Sequence, residues 1–254
     1  WIGSDGQGVL FHNFKKTKFK HFLGGTHDIK SVSVIKVLQQ RDHSFITLNR
    51  KGGILWLSES GSILKRWDSL PDGKADFTAH TGVQLNDRQI LFSSYYNLYL
   101  LDIVTGEIKL VTGPVGIKKL EMVQLEKLTN GKIIVSCLGD LMHELILSGD
   151  RYSLRPYGDI FKHSGNTTYF KTDEQNRLYI SNDELSILVC VPSSDGTTHV
   201  FERELDIVGG IRGFCDVPQS NAVYLCNLQG LFRINRETWT FEQVKGPDNI
   251  LVQT

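Results

Sequence analysis

Seven residues with side chains suited to holding a polar ligand stand in short segments that separate apolar stretches of the chain. A tyrosine ring can stack on a sugar ring, and arginine, lysine, asparagine and aspartate can bond hydroxyl or acidic groups. We therefore expect a ligand-binding surface formed by Arg50, Lys51, Tyr95, Tyr96, Asn97, Asp183 and Asn227. The alternative is that these are solvated turn residues and that the tyrosines pack on a neighbouring structural unit.

The sequence lacks the residue spacings of common catalytic and metal-binding motifs. It contains no P-loop, HExxH pair, EF-hand loop or GxSxG elbow. The eight histidines are scattered without the spacing of a metal site. Gly3–Gly8 joins two apolar stretches, which indicates a turn and not a phosphate-binding loop. We expect no catalytic residue, no metal, no cofactor and no enzymatic activity in this chain.

The segments that carry the candidate residues repeat along the chain. A short apolar strand, a turn and a second strand occur six times, beginning at residues 1, 45, 91, 134, 178 and 223. A further strand-like stretch precedes the hairpins, as at 31–38, 122–128, 167–172 and 211–217, and an alternating stretch follows them, as at 151–157 after the copy at 134. Each repeat therefore predicts four antiparallel strands.

Four antiparallel strands in every roughly 40 to 50 residues are typical of a β-propeller blade. The sequence predicts an all-β fold, with a single β-propeller domain over residues 1–254. Six repeats are visible, so we expect either a six-bladed ring or part of a seven-bladed one. By analogy with other propellers, the turns between the second and third strands are expected to form a binding face around the central channel.

Composition and charge exclude several classes of protein. The 28 Lys and Arg residues balance the 28 Asp and Glu residues, so no net field favours nucleic acid as a partner. The longest uncharged run, Val217–Phe232, is short and broken by polar residues, which predicts no membrane-spanning segment. The start of the chain has neither an initiator Met nor a signal-like segment, and we interpret the chain as a piece of a longer polypeptide.

The four cysteines have neither the spacing of a zinc site nor the density of a disulfide scaffold. A hairpin through 218–221 is expected to place Cys215 opposite Tyr224, which is poor geometry for a disulfide with Cys226. We therefore expect four free, buried thiols.

The first repeat, WIGSDGQGVLFHNF, resembles the two-component regulator propeller repeat, with Ser4 where that repeat has threonine. The segment GILWLSESGSILKRWD at 53–68 matches less well, and the other copies keep only the pattern of strands and turns. The terminal GPDNILVQT is similar to the Pro-Asp-Asn lead-in that opens the next unit of such repeats.

This resemblance implies that the chain is part of a longer parent protein. The parent would be a hybrid two-component histidine kinase with a periplasmic sensor region, of the kind found in Bacteroides-type bacteria. The propeller would then detect glycan-derived ligands, such as an oligosaccharide, and pass the signal to the kinase and to transcription. Its expected partners are a neighbouring propeller and an immunoglobulin-like domain of the same parent, and a second copy in a homodimer. The parent is expected to be anchored in the inner membrane, and this chain to meet the membrane only through it.

Two other functions stay open. One is a metal-dependent propeller hydrolase or lactonase-like enzyme, which needs Asp, Glu or Asn ligands at the channel. The other is an interaction scaffold like the WD-repeat proteins, for which Trp67-Asp68 is the lone matching dipeptide.

Overall fold

The computed structural model describes residues 2–4, 8–13, 18–22, 33–71, 73, 77–113, 121–137, 142–158, 169–181, 186–207, 210–217, 221–227 and 229–244, with the backbone alone for 2–22. The regular secondary structure of these residues consists of β-strands joined by turns, which confirms the all-β prediction. Within the same residues, no helix is long and apolar enough to cross a lipid bilayer.

The described strands form one three-stranded sheet and five four-stranded sheets, and neighbours in each sheet are consecutive in the chain. The three-stranded sheet contains β1 (Ile2–Ser4), β2 (Gly8–Asn13) and β3 (Lys18–Phe22). The four-stranded sheets are β4 (Val34–Gln39), β5 (Phe45–Asn49), β6 (Ile54–Leu57) and β7 (Ile63–Trp67); β8 (Thr81–Gln84), β9 (Gln89–Ser94), β10 (Asn97–Asp102) and β11 (Ile108–Val111); β12 (Met122–Lys127), β13 (Ile133–Cys137), β14 (Met142–Ser148) and β15 (Arg151–Pro156); β16 (Phe170–Thr172), β17 (Leu178–Ser181), β18 (Ser186–Pro192) and β19 (His199–Asp206); and β20 (Ile211–Val217), β21 (Ala222–Asn227), β22 (Gly230–Asn235) and β23 (Phe241–Gln243).

The number of blades differs from the prediction. The described residues form five complete four-stranded blades, so the expectation of six blades, or of part of a seven-bladed ring, is wrong. In the first repeat, β1 pairs with β2 and β2 pairs with β3, and no described strand pairs with the other edge of β1. The repeated hairpins mark only the second and third strands of a repeat, so their period counts hairpins and not complete blades.

The second strand of each complete blade is the most buried one. Every residue of β5, β13 and β17 is buried, as expected for a strand that is covered on both faces of its sheet. In β9, the ring centroid of Phe92 lies 5.6 Å from that of Phe77 and 5.5 Å from that of Tyr99. Burying a side chain of this size contributes about 1.5–3 kcal/mol to folding, so these strands fix the positions of the turns that follow them.

The chain divides into two compact units. The first contains Trp1–Leu125 and Leu147–Tyr152, and the second contains Glu126–Ile146 and Ser153–Thr254. Each unit has its own apolar clusters. Ile46, Phe92 and Tyr99 belong to a cluster in the first unit, and Tyr179 and Val223 to one in the second.

A glycine determines the shape of the turn between β5 and β6. Gly53 has a φ of 69°, and a Cβ atom on it would lie 2.0 Å from the carbonyl oxygen of Trp67. The Gly53 carbonyl accepts hydrogen bonds from the backbone amide of Asn49 at 3.2 Å and from its Nδ2 at 2.8 Å. The turn is therefore closed by bonds that hold residues 49 and 53 together.

Buried charges in the second unit form a network around one arginine. The Arg236 side chain is almost fully buried, and its Nε lies 3.5 Å from Asp173 Oδ2 and its Nη1 3.0 Å from Glu174 Oε1. Its Nη2 donates to Asp216 Oδ1. Arg177 Nε also donates to Asp173 Oδ2, at 2.9 Å. The network connects side chains from two neighbouring blades of this unit.

The cysteines are free, as predicted, but they are not all buried. Cys137 and Cys190 are buried, whereas Cys226 is half-buried and Cys215 is exposed. The expectation of four buried thiols is therefore wrong, because Cys215 lies in β20, where most residues are half-buried or exposed, and Cys226 occupies a half-buried position of β21. The predicted register of Cys215 opposite Tyr224 is confirmed.

Candidate functional site

Two backbone hydrogen bonds bring three separate segments of the first unit together. The amide of Ala79 donates to the carbonyl of Asn49 at 3.0 Å, and the amide of His80 donates to the carbonyl of Ser93 at 2.9 Å. The segment that leads into β8 therefore touches the ends of β5 and β9. As a consequence, the turns that follow β5 and β9 both begin next to His80.

His80 is the centre of this arrangement. Its ring centroid lies 5.5 Å from that of Tyr95, and its Nδ1 lies 3.3 Å from Glu121 Oε1. Burial lowers the pKa of His80, the Glu121 carboxylate raises it, and the Arg50 guanidinium lowers it further, with a net decrease. His80 is therefore mainly neutral at pH 7. We call Arg50, Lys51, His80, Tyr95, Tyr96 and Glu121 the His80 cluster.

Two tyrosines of the cluster form the whole turn between β9 and β10. Ser94 pairs with Asn97 in the strand register, so Tyr95 and Tyr96 are the two central residues of a tight hairpin. Their side chains are 39% and 50% exposed. Tyr95 has a φ of 52°, a left-handed conformation that is uncommon for a bulky residue and is found more often at functional positions. The turn thus presents two aromatic rings to solvent.

Arg50 and Lys51 start the turn between β5 and β6, and both are exposed. The backbone amide of Arg50 donates to the Ser33 carbonyl at 2.7 Å, which anchors the base of the side chain. Within the described part of the chain, neither Arg50 nor Lys51 forms an ion pair. Both cationic groups are accordingly available to a ligand.

The remaining predicted site residues lie elsewhere or are already engaged. Asn97 is half-buried, and its Nδ2 donates to the Tyr99 hydroxyl at 3.3 Å. Asn227 belongs to the second unit, where it is buried and its Oδ1 accepts from the Gln229 amide at 2.8 Å. Asp183 lies outside the described residues. A binding role for these three residues stays a prediction.

His80 and Glu121 are not among the site residues expected from the sequence. Both residues directly precede the first strand of a blade, His80 before β8 and Glu121 before β12. The repeat spacing contains this signal, because the residue before each first strand lies beside the turns between second and third strands. The segment before β8 has no recognisable strand pattern, however, so the sequence does not distinguish His80 from a surface or packing residue.

The cluster has the chemistry of a binding surface that could also take up a proton. It combines two aromatic faces, two cations without an ion pair in the described part of the chain, and a neutral imidazole beside a carboxylate. Among the described residues there is no group of three or more His, Cys, Asp or Glu side chains arranged to hold a metal ion.

No protein-family model matches the chain, and no curated protein sequence matches it either. Many solved structures are similar in fold. Virginiamycin B lyase from Staphylococcus aureus has a TM-score of 0.65 and 13% identity, with 94% of this chain and 79% of that chain covered. The β-propeller domain of Cps50 (Swd1) from Myceliophteria thermophila has a TM-score of 0.66 and 11% identity, with 95% and 81% covered.

A proposed 6-phosphogluconolactonase from Bacteroides uniformis is also similar, with a TM-score of 0.61, 14% identity, and coverage of 98% of this chain and 80% of that chain. At these identities the likeness establishes the fold alone. The chain is a β-propeller with four-stranded antiparallel blades.

Proposed function

We propose that this propeller is a binding module that holds a carbohydrate ligand on the His80 cluster. The observation that carries the proposal is the pair of exposed tyrosines in the turn between β9 and β10. Exposed aromatic rings beside polar groups are typical of sites that bind flat, hydroxylated ligands. The left-handed conformation of Tyr95 supports the proposal, because glycine or asparagine would form this turn with less strain.

We further propose that binding serves a sensor, as the resemblance of the repeats to two-component regulator propellers implies. In that role the module would be periplasmic, in a parent anchored in the inner membrane. Ligand binding would be passed through a neighbouring propeller, an immunoglobulin-like domain and a homodimer to a histidine kinase. The repeat pattern of WIGSDGQGVLFHNF supports this context.

A second candidate function is catalysis, with His80 as a general base. The lowered pKa of His80 keeps its imidazole neutral at pH 7, and Glu121 lies close enough to orient it. Two of the similar structures are described as a lyase and a proposed lactonase. Incubating the protein with any ligand that binds, followed by mass spectrometry, separates the two functions: a sensor returns the ligand intact.

The binding proposal is tested by a thermal-shift screen against oligosaccharides, followed by isothermal titration calorimetry of every sugar that raises the midpoint. A ligand at 100 times its Kd stabilises a fold by about 2.7 kcal/mol, which such a screen detects readily. We expect Tyr96→Ala and Tyr95→Gly each to weaken binding roughly tenfold, equivalent to about 1.4 kcal/mol.

Phe201→Ala is the matched control, because Phe201 is a similarly exposed aromatic residue, at 41%, on the outer strand β19 of the second unit. It should leave the Kd unchanged. Binding that survives both tyrosine variants would place the ligand away from the His80 cluster and refute the proposal.

A further inference from the structure

We propose that the His80 cluster selects an anionic sugar, one that carries carboxylate or sulfate groups, over its neutral counterpart. This inference rests on the proposed function, since it names the class of ligand for the same site. The carrying observation is the position of Arg50 and Lys51, which have no ion-pair partner in the described part of the chain and begin a turn that Ala79 and His80 link to the start of the aromatic turn.

The described cations of the first unit differ in whether a carboxylate of the chain neutralises them. Three other arginines of the unit each contact an aspartate, namely Arg41 with Asp87, Arg66 with Asp68 and Arg88 with Asp102. Arg151 of the same unit, in contrast, has no ion pair within the described residues. At residues 50 and 51 two adjacent cations lack such a neighbour among the described residues, and an anion from outside the chain would supply it.

The turn holds the two cations in a defined place. Gly52 and Gly53 have φ angles of 87° and 69°, and the Gly53 carbonyl accepts from Asn49 Nδ2 at 2.8 Å. The Arg50 amide is bonded to the Ser33 carbonyl as well. A turn fixed at both of its ends loses little conformational entropy when a ligand binds, so more of the interaction energy remains as affinity.

The acidic group of the cluster is engaged within the cluster itself. Glu121 Oε1 lies 3.3 Å from His80 Nδ1. The Arg50 guanidinium is near enough to the same imidazole to lower its pKa. Among the described residues, Glu121 is paired with His80 and with neither Arg50 nor Lys51.

Both cations are exposed, which sets the size of the expected effect. Solvent-exposed ion pairs contribute little individually and weaken as salt is added. Charge selection should therefore be about tenfold, and it should decrease as the ionic strength rises. The rings of Tyr95 and Tyr96 would provide the part of the affinity that is independent of salt.

The test compares oligosaccharides of equal length by isothermal titration calorimetry at low and high salt. Galacturonate tetramers supply the carboxylate, sulfated galactose tetramers supply the sulfate, and unsubstituted galactose tetramers are the neutral reference. We expect one or both acidic tetramers to bind about tenfold more tightly than the neutral one at low salt, with the difference largely lost at high salt. Binding of one acidic tetramer alone identifies the anionic group.

Two charge-removing variants assign the effect to residues. Arg50→Gln and Lys51→Gln should each weaken the acidic sugar several-fold while the neutral sugar is unaffected. Arg151→Gln is the matched control, because Arg151 is exposed, belongs to the same unit and likewise has no ion pair within the described residues. It should change neither affinity.

The outcomes separate this inference from the proposed function. A neutral tetramer that binds as tightly as the acidic ones, with loss in the tyrosine variants, overturns the charge selection and leaves carbohydrate binding in place. Acidic binding that is unaltered in Arg50→Gln and Lys51→Gln also overturns it. Failure of the acidic, neutral and screened sugars alike refutes both proposals.

Discussion

The hydroxyl of Tyr157 and the imidazole of His199 form a buried hydrogen bond of 2.9 Å, in which Tyr157 is the donor to Nδ1. The direction follows from the other ring nitrogen: Nε2 lies 2.7 Å from the Asn176 carbonyl, which can only accept. His199 therefore carries its proton on Nε2 and is neutral. Protonation of Nδ1 would leave the Tyr157 hydroxyl without its acceptor.

This bond predicts that the protein loses stability in mild acid. Burial lowers the pKa of His199 in the folded state below the value of about 6.5 in an unfolded chain. Between the two pKa values the unfolded state binds a proton that the folded state does not, so the stability is complete above about pH 6.5 and declines as the pH falls.

Urea denaturation at pH 7.5 and 5.5 measures this decline. In His199→Gln, which cannot titrate in this range, the difference between the two pH values should be smaller than in the unaltered protein. An equal difference in both proteins would rule out His199 as a source of the decline.

Substitutions at residue 95 should separate the effect of its backbone conformation on stability from the effect of the tyrosine ring. Because residue 95 has a φ of 52°, alanine there keeps the strain and loses the ring, whereas glycine loses both. Tyr95→Gly should therefore be about 1 kcal/mol more stable than Tyr95→Ala in urea denaturation. The same stability in both variants would mean that the turn relaxes to another conformation when the ring is removed.

Replacing Gly53 by alanine should reduce stability through a steric clash, in addition to the cost of the positive φ angle. A Cβ atom would lie 2.0 Å from the Trp67 carbonyl oxygen, so Gly53→Ala must shift the backbone between β6 and β7. We expect a loss of more than about 2 kcal/mol. Gly149→Ala is the control, because Gly149 has a φ of 61° but no atom within 4 Å of the added Cβ. A similar loss in both would show that the dihedral angle alone accounts for the cost.

Removing the positive charge of Arg236 should cause a large loss of stability. Arg236→Met would leave Asp173, which is fully buried, with Arg177 as its remaining cationic partner. Breaking a buried ion pair by removing one partner typically costs about 3–5 kcal/mol. Arg233→Met removes a partly exposed arginine that pairs with the exposed Glu242, and chemical denaturation should show a far smaller change for it. Comparable losses would contradict a special role for the buried network.

Much of this fold can be predicted from the sequence because strand patterns are local. A few consecutive residues are enough to recognise the apolar run of β5 and the alternating pattern of β15. Glycine and asparagine mark many of the turns between successive strands. Whether an inner strand pairs with each hairpin depends on contacts between distant segments. That is why six repeats were visible while five four-stranded blades form.

The turn residues of the candidate site can likewise be recognised from local sequence, but the contacts that bring them together cannot. Arg50 and Tyr95 are candidates because charged and aromatic residues in tight turns are not needed to pack the hydrophobic core. The meeting of Arg50, His80 and Tyr95 depends on hydrogen bonds between segments some 30 residues or fewer apart, at Asn49 and Ala79 and at His80 and Ser93. No local pattern encodes such a bond, and His80 was missed for that reason.

The bonds that assemble the His80 cluster join main-chain atoms at both junctions, Asn49 with Ala79 and His80 with Ser93. Main-chain atoms are the same whatever side chain a residue carries, so substitutions at positions 50, 80 and 95 would change the surface without changing where these positions lie. The main-chain bonds thus determine where these three positions lie, whereas the side chains determine which ligand they can bind. Homologous or engineered blades could exchange one ligand class for another by altering a few turn residues, with no compensating change in the core.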